Sequence, residues 1–258
     1  MNAQREDRDL TTKIVAALSE VAKCDICLRQ PSTAKYLLAD YVPVPRFGGF
    51  AAVEAVTIGI NPAPNKAGRR ALPLIAGFGK TRRSDLEDDE ILSISKFQDT
   101  YFDDGNAHTF FDNNFYFILH TIDTSWTYQS GKVSHIDVVS CVTDPLWSKV
   151  GLANPDAQVT IRQNCRPHLF RTLELIPSGT WLFWGGQETV RALNELGPKT
   201  IAKGVTTEKS VGWFMGDIEV KGNWHPFMAW DKVGPGMSNP DRCEIGEIVK
   251  ARILSAAH

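Results

Sequence analysis

The chain predicts an α/β protein, a three-layer α/β/α fold with a central, mainly parallel four-stranded sheet, and three observations predict it. Short β-branched or aromatic runs alternate with stretches of helical spacing, the pattern of strand–helix–strand crossovers. The runs are apolar nearly throughout, as strands covered on both faces are. Each is closed by a turn containing Pro or Gly.

In chain order, Leu10–Ala22 places Ile14, Val15, Leu18 and Val21 at helical spacing. The Pro- and Gly-rich stretch Tyr41–Phe50 reads as loop. The first strand is AVTIGI, Ala55–Ile60, stopped by Asn61-Pro62-Ala63-Pro64. Residues 84–131, with the acidic run Asp85–Glu90 and the aromatic cluster Phe110–Phe117, read as an elaborated crossover. The second strand is HIDVVSCV, His135–Val142, stopped by Asp144-Pro145. A helix over Asp156–Ile176 buries Ile161, Leu169, Leu173 and Ile176. The third strand is TWLFW, Thr180–Trp184, closed by Gly185-Gly186 and followed by a helix over Glu188–Leu196. The fourth is DIEV, Asp217–Val220, leading to Gly222-Asn223-Trp224-His225-Pro226, and a helix over Glu244–Leu254 ends the pattern. With no internal repeat and no low-complexity linker, residues 1–258 read as one domain.

Composition sets the outer bounds. With 43% hydrophobic and 22% charged residues among 258, the chain is an ordinary globular one that needs no disulfides to bury a core. No apolar run reaches the ~20 residues of a membrane helix. Met1–Asp9 is polar and is followed by no signal-type apolar core, so an intracellular, cytoplasmic location is expected. Five cysteines are too few for a disulfide scaffold, and the odd number fits a reduced compartment. Twenty-eight Lys+Arg against 30 Asp+Glu give a net charge of −2, which argues against wholesale coating of nucleic acid but leaves room for a local basic patch.

Ligands of open parallel sheets bind beyond the carboxyl ends of the strands. Three polar residues lie at or near such ends: Asn61 after the first strand, Asp137 within the second, His225 after the fourth. Singly, Asn61 before proline is a common turn residue and His225 an ordinary loop histidine. Asp137 in an apolar strand is costly to bury without partners and is the residue hardest to read as structural.

Together these residues resemble the uracil-DNA glycosylase superfamily. Gly59-Ile60-Asn61-Pro62-Ala63-Pro64 looks like its first motif and His225-Pro226 like its second. Asp137–Cys141 (DVVSC), Cys165-Arg166-Pro167-His168-Leu169 with Glu174-Leu175-Ile176, and Thr180–Leu193 resemble the elements between them, in the same order. VPVPRFGGF and Asn65–Arg69 look most like the iron–sulfur branch, which removes several deaminated bases. The resemblance runs from about Cys24 to Pro226.

What the resemblance implies is a monofunctional DNA glycosylase that initiates base excision repair, a monomer acting on DNA carrying uracil or another deaminated base. Asn61 would orient the attacking water, since an amide takes up no proton near neutral pH. His225 would donate to the departing base, stabilising charge that develops in the transition state. Gly59, Ile60, Leu74, Phe78 and Asp137 would surround a base turned out of the helix. Cys24, Cys27, Cys141 and Cys165 stand at the four places that hold a [4Fe–4S] cluster, with zinc or simple packing as the alternatives. Lys66, Arg69 and Arg70, in an acid-free basic stretch running to Arg83, would touch phosphate. Phe227 and Met228 would enter the minor groove as apolar wedges.

The sequence departs from the family in three places. Asp137 replaces the base-reading asparagine, Leu74 the stacking aromatic, and Phe227 the serine after His-Pro. An aspartate constrains the base edge less than an asparagine, which predicts tolerance of hypoxanthine or xanthine beside uracil. The alternative is a protein of the same fold that binds DNA or a damaged base without cleaving it. A nucleotide-binding α/β protein is disfavoured by the lack of GxGxxG or GxxxxGK[ST].

Overall fold

The computed structural model describes residues 2–62, 71–103 and 109–256. The fold is α/β, and the elements in order are α1 (Asn2–Ala22), α2 (Pro31–Ala34), β1 (Arg46–Phe47), β2 (Ala55–Gly59), α3 (Asp88–Asp99), α4 (Thr109–Ile122), β3 (Val133–Asp137), α5 (Trp147–Ala153), α6 (Pro155–Glu174), β4 (Trp181–Gly185), α7 (Gln187–Glu195), β5 (Lys199–Val205), β6 (Gly212–Val220), β7 (Asn223–Trp230) and α8 (Asn239–Ala256). The sheet is mixed and seven-stranded, in the order β1-β3-β2-β4-β7-β6-β5. This corrects the expected four-stranded, mainly parallel sheet. Strands β2, β4 and β7 are parallel, whereas β5, β6 and β7 form an antiparallel meander.

The chain divides into two compact units: residues 1–47, 60–101 and 136–176 form the first, and 48–59, 102–135 and 177–258 the second. In the first, α1 packs on α3 and α6, and α6 also receives α2 and α5. Leu18, Ala22, Val42, Ile75, Leu86, Ile91 and Ile94 form its core cluster. Helix α3 starts in a capping box, in which Glu87 and Glu90 each accept from the other's backbone amide. Asp88, Asp89 and Glu90 of the acidic run form this helix's first turn, where carboxylates favour the helix dipole.

The second unit holds the parallel strands and the meander. Every residue of β2 is buried, which explains its continuous apolar character. Helix α8 packs on α4, and α7 lies against β4 and β7. Strand β7 was expected to be a loop after DIEV. That segment is instead the end of β6, and β7 is the fourth strand of the β3-β2-β4-β7 set. Its Pro226 enters before pairing with β4 begins at Leu182↔Phe227, so the missing amide breaks no bond to β4.

Among the described residues no helix is long and apolar enough to cross a membrane.

Candidate four-cysteine centre and the Asn61 turn

The chain leaves the carboxyl end of β2 at Gly59 and turns through Ile60, Asn61 and Pro62. The Ile60 carbonyl accepts from Val139 N–H at 2.8 Å, which draws the residues after β2 and β3 together. Asn61 Nδ2 donates to Thr143 Oγ1 at 3.0 Å and to Pro62 O at 3.1 Å. Both amide hydrogens are committed, so Oδ1 is the atom left to accept. Asp137 closes β3 and is 5% exposed, with its N–H donating to Pro45 O. Thr143 and Ser140 are buried beside it in sequence, and Val44 N–H donates to Ser140 O. The strand end, the Pro43–Pro45 stretch and the Asn61 turn are thus pinned to one another by main-chain bonds.

The residues expected around the base do not all meet there. Leu74 is 40% exposed and bridges Tyr41. Phe78 is partly buried against the core cluster of α1 and α3, so its ring belongs to that packing. Lys66, Arg69 and Arg70 lie outside the described residues. Of the remaining basic stretch, Lys80 is paired with Glu87 at 2.7 Å, and Arg83 is buried.

Two expected roles are corrected. His225 does not follow the fourth parallel strand; it sits near the start of β7, fully buried. Because Val56 aligns with Leu182 and Leu182 with Phe227, His225 stands at the amino-terminal edge of the parallel strands. Gly59 leaves from the opposite, carboxyl edge. Phe227 and Met228 are likewise fully buried in β7, Phe227 edge-on to Phe214 at 5.6 Å between ring centroids. Buried strand residues cannot act as wedges in a groove.

The cysteines come together. Cys24, Cys27, Cys141 and Cys165 line one pocket with Arg83, Asn164 and His168, all in the first unit. Cys24 and Cys27 follow α1, Cys141 follows β3, and Cys165 lies in the middle of α6. Among the described residues no group of three or more His, Cys, Asp or Glu side chains is placed to hold a metal ion.

N–H donors reach two of the sulfurs, while burial opposes charge on Cys24, Cys27 and Cys165. Arg83 NH1 reaches Cys141 Sγ at 3.6 Å, and Asn164 Nδ2 donates to Cys27 Sγ at 3.3 Å. The hydrogen bond with Cys165 and the Arg83 guanidinium draw Cys141 down to about 6, while the same bond and burial push Cys165 up. Burial also pushes Cys27 up to about 11. His168 is 9% exposed, and neither ring nitrogen has a hydrogen-bond partner. Burial pushes its imidazole down, towards the neutral form. Four thiols, a guanidinium and an amide donor are a donor set that fits a thiolate-bound, sulfur-rich anionic group.

Sequence reasoning missed Arg83, Asn164 and Thr143 as parts of these sites. Asn164 and His168 flank Cys165 on α6, a local signal that could have found them, whereas Arg83 and Thr143 carry none.

Compared with protein-family models, with curated proteins and with solved structures, the chain matches none.

Proposed function

We propose that the chain is a monofunctional DNA glycosylase that hydrolyses the N-glycosidic bond of uracil, and of related deaminated bases, in DNA. In this reading the fold is the three-layer α/β/α arrangement of the superfamily it resembles, and Cys24, Cys27, Cys141 and Cys165 hold a [4Fe–4S] cluster. The observation that carries the reading is the convergence of those four cysteines, which the resemblance alone selected, on one pocket lined with N–H donors. When bound, the cluster supplies a covalent tie between the segment after α1, the end of β3 and α6.

The reaction falls to the Asn61 turn. Thr143 fixes the amide so that Oδ1 accepts from a water and aims its oxygen at the sugar carbon. As the glycosidic bond breaks, its electron pair leaves with the base and positive charge spreads over the sugar, as in other oxocarbenium-like transition states. Water then bonds to that carbon and loses its proton to solvent. Asp137 faces the base edge. His225 takes no part, being buried at the other edge of the strands.

The test is an excision assay on single- and double-stranded DNA containing uracil, hypoxanthine, xanthine or ethenocytosine. The expected result is an alkali-labile abasic site in an otherwise unbroken strand, for uracil and at least one purine lesion. Asn61→Ala should lower single-turnover excision roughly 10²–10³-fold, the cost of losing one preorganised polar contact in other enzymes. Iron-loaded protein that excises none of the four bases rejects the proposal. A second reading, binding of damaged DNA without cleavage, is favoured by the burial of His225, which removes the expected leaving-group donor. It predicts retention of uracil-containing DNA with no abasic product.

A further inference from the structure

Arg83 is 3% exposed. It opens the short 3₁₀ turn Arg83–Asp85 ahead of α3, and from there its side chain points into the four-cysteine pocket. NH1 donates to Cys24 O at 3.2 Å and lies 3.6 Å from Cys141 Sγ, and NH2 donates to Leu38 O at 3.0 Å. Nε is buried with no partner. Among the described residues these partners include no carboxylate. A buried cation without a counter-ion is costly. The anion facing this one must therefore be sulfur, or a group held by sulfur.

We propose that Arg83 is a positioning residue that sets the charge of the four-cysteine centre, holding up the reduction potential of its cluster and bracing two of its four ligands. The proposal rests on the reading of the cysteines as cluster ligands and not on the glycosylase reading. Each electron added to the cluster makes it more negative, so a fixed positive charge beside Cys141 favours the reduced state. Hydrogen bonds and net charge are the protein's usual means of tuning such centres. Arg83 supplies both, and it anchors them to the Cys24 backbone, so the charge cannot swing away from the pocket. Asn164, at Cys27, supplies a hydrogen bond without charge.

The experiment is a mediated redox titration of the anaerobically purified full chain, followed by visible absorbance, with iron and sulfide measured on the same samples. Arg83→Gln keeps the polar length and removes the charge. At the wild-type midpoint its reduced-to-oxidised ratio should fall tenfold or more, a midpoint about 59 mV lower for a one-electron couple. Arg83→Lys keeps the charge, and its ratio should stay within about threefold of wild type. An unchanged midpoint in Arg83→Gln overturns the proposal and leaves the cluster reading standing. Wild-type protein without iron and sulfide overturns both, and the excision assay stands apart from either result. Should Arg83→Gln fail to fold or to keep iron, Arg83→Lys decides. Retained iron with a midpoint near wild type upholds the proposal, and lost iron or a tenfold fall overturns it.

Discussion

The two compact units each leave some buried polar groups unmet, and they differ in what surrounds those groups. In the second, Asp241 is fully buried and accepts from Thr206 Oγ1, from the Lys209 amide, and from both the amide and hydroxyl of Ser238. Thr57 lies 2.8 Å from both Tyr128 OH and His135 Nδ1. These networks are internally satisfied, as structural polar groups usually are. In the first unit, Arg83 Nε and both nitrogens of His168 are left without partners, and the two side chains line the same pocket as four cysteines. The comparison teaches which unmet polar groups matter. His225 is unmet too, but β7 carries no cysteine, second histidine or carboxylate beside it. An unmet donor becomes informative when other ligand-type groups share its space.

Breaking the comparison at its strongest point means removing a cysteine. Cys165→Ala should take iron from about four per chain to near none, measured by metal analysis on anaerobic protein. Iron that survives the substitution would return Cys165 to packing. Next in size is Phe227→Ala, because a fully buried aromatic in a strand costs roughly 3–5 kcal/mol to truncate. Chemical denaturation should show that loss. DNA affinity measured under folded conditions should not change, and a drop confined to DNA binding would restore the wedge that the structure removes.

The smallest effect sharpens the satisfied side. Burial alone would raise the Asp241 carboxyl, but the hydrogen bonds from Ser238, Thr206 and Lys209 outweigh it and hold it below the usual carboxylate range. Between that lowered value and the ordinary ~3.9 of an unfolded chain, the unfolded state binds the extra proton. The stability carried by Asp241 is therefore complete above about pH 4 and drains away as pH falls below it. Asp241→Asn should cost roughly 2–3 kcal/mol at neutral pH and flatten the acid limb of a stability-against-pH curve. An acid limb as steep as wild type would place that dependence on other carboxylates.

Much of the fold was legible because its inner strands are continuously apolar. AVTIGI and TWLFW became β2 and β4 almost residue for residue, and the long helix over Asp156–Ile176 became α6. The meander was not legible. KTIAKGV has mostly exposed side chains and no alternation, so nothing in its pattern marks β5. Pro226 hid β7, since proline usually argues against an inner strand, and with the strand hidden His225 was set at the wrong edge of the sheet. The cysteine centre was legible as four positions. Its electrostatics were not, because Arg83 looks like any member of a basic stretch until the fold buries it.

The interleaving of the two units also bears on synthesis. The chain passes from one to the other after residues 47, 59, 101, 135 and 176, so neither unit is a continuous stretch. Emerging from the ribosome, the first unit has all its segments once Ile176 is made. The parallel strands β2 and β4 must wait for β7, whose place beside β4 is filled only from residue 223 onward. Until then β4 presents an open apolar edge, a template for wrong pairing. Such long-range closure is slow. A nascent chain stalled between Gly185 and Asn223 should therefore hold all segments of the first unit and a β4 with an unfilled edge, which makes that window the place where chaperone binding would matter most.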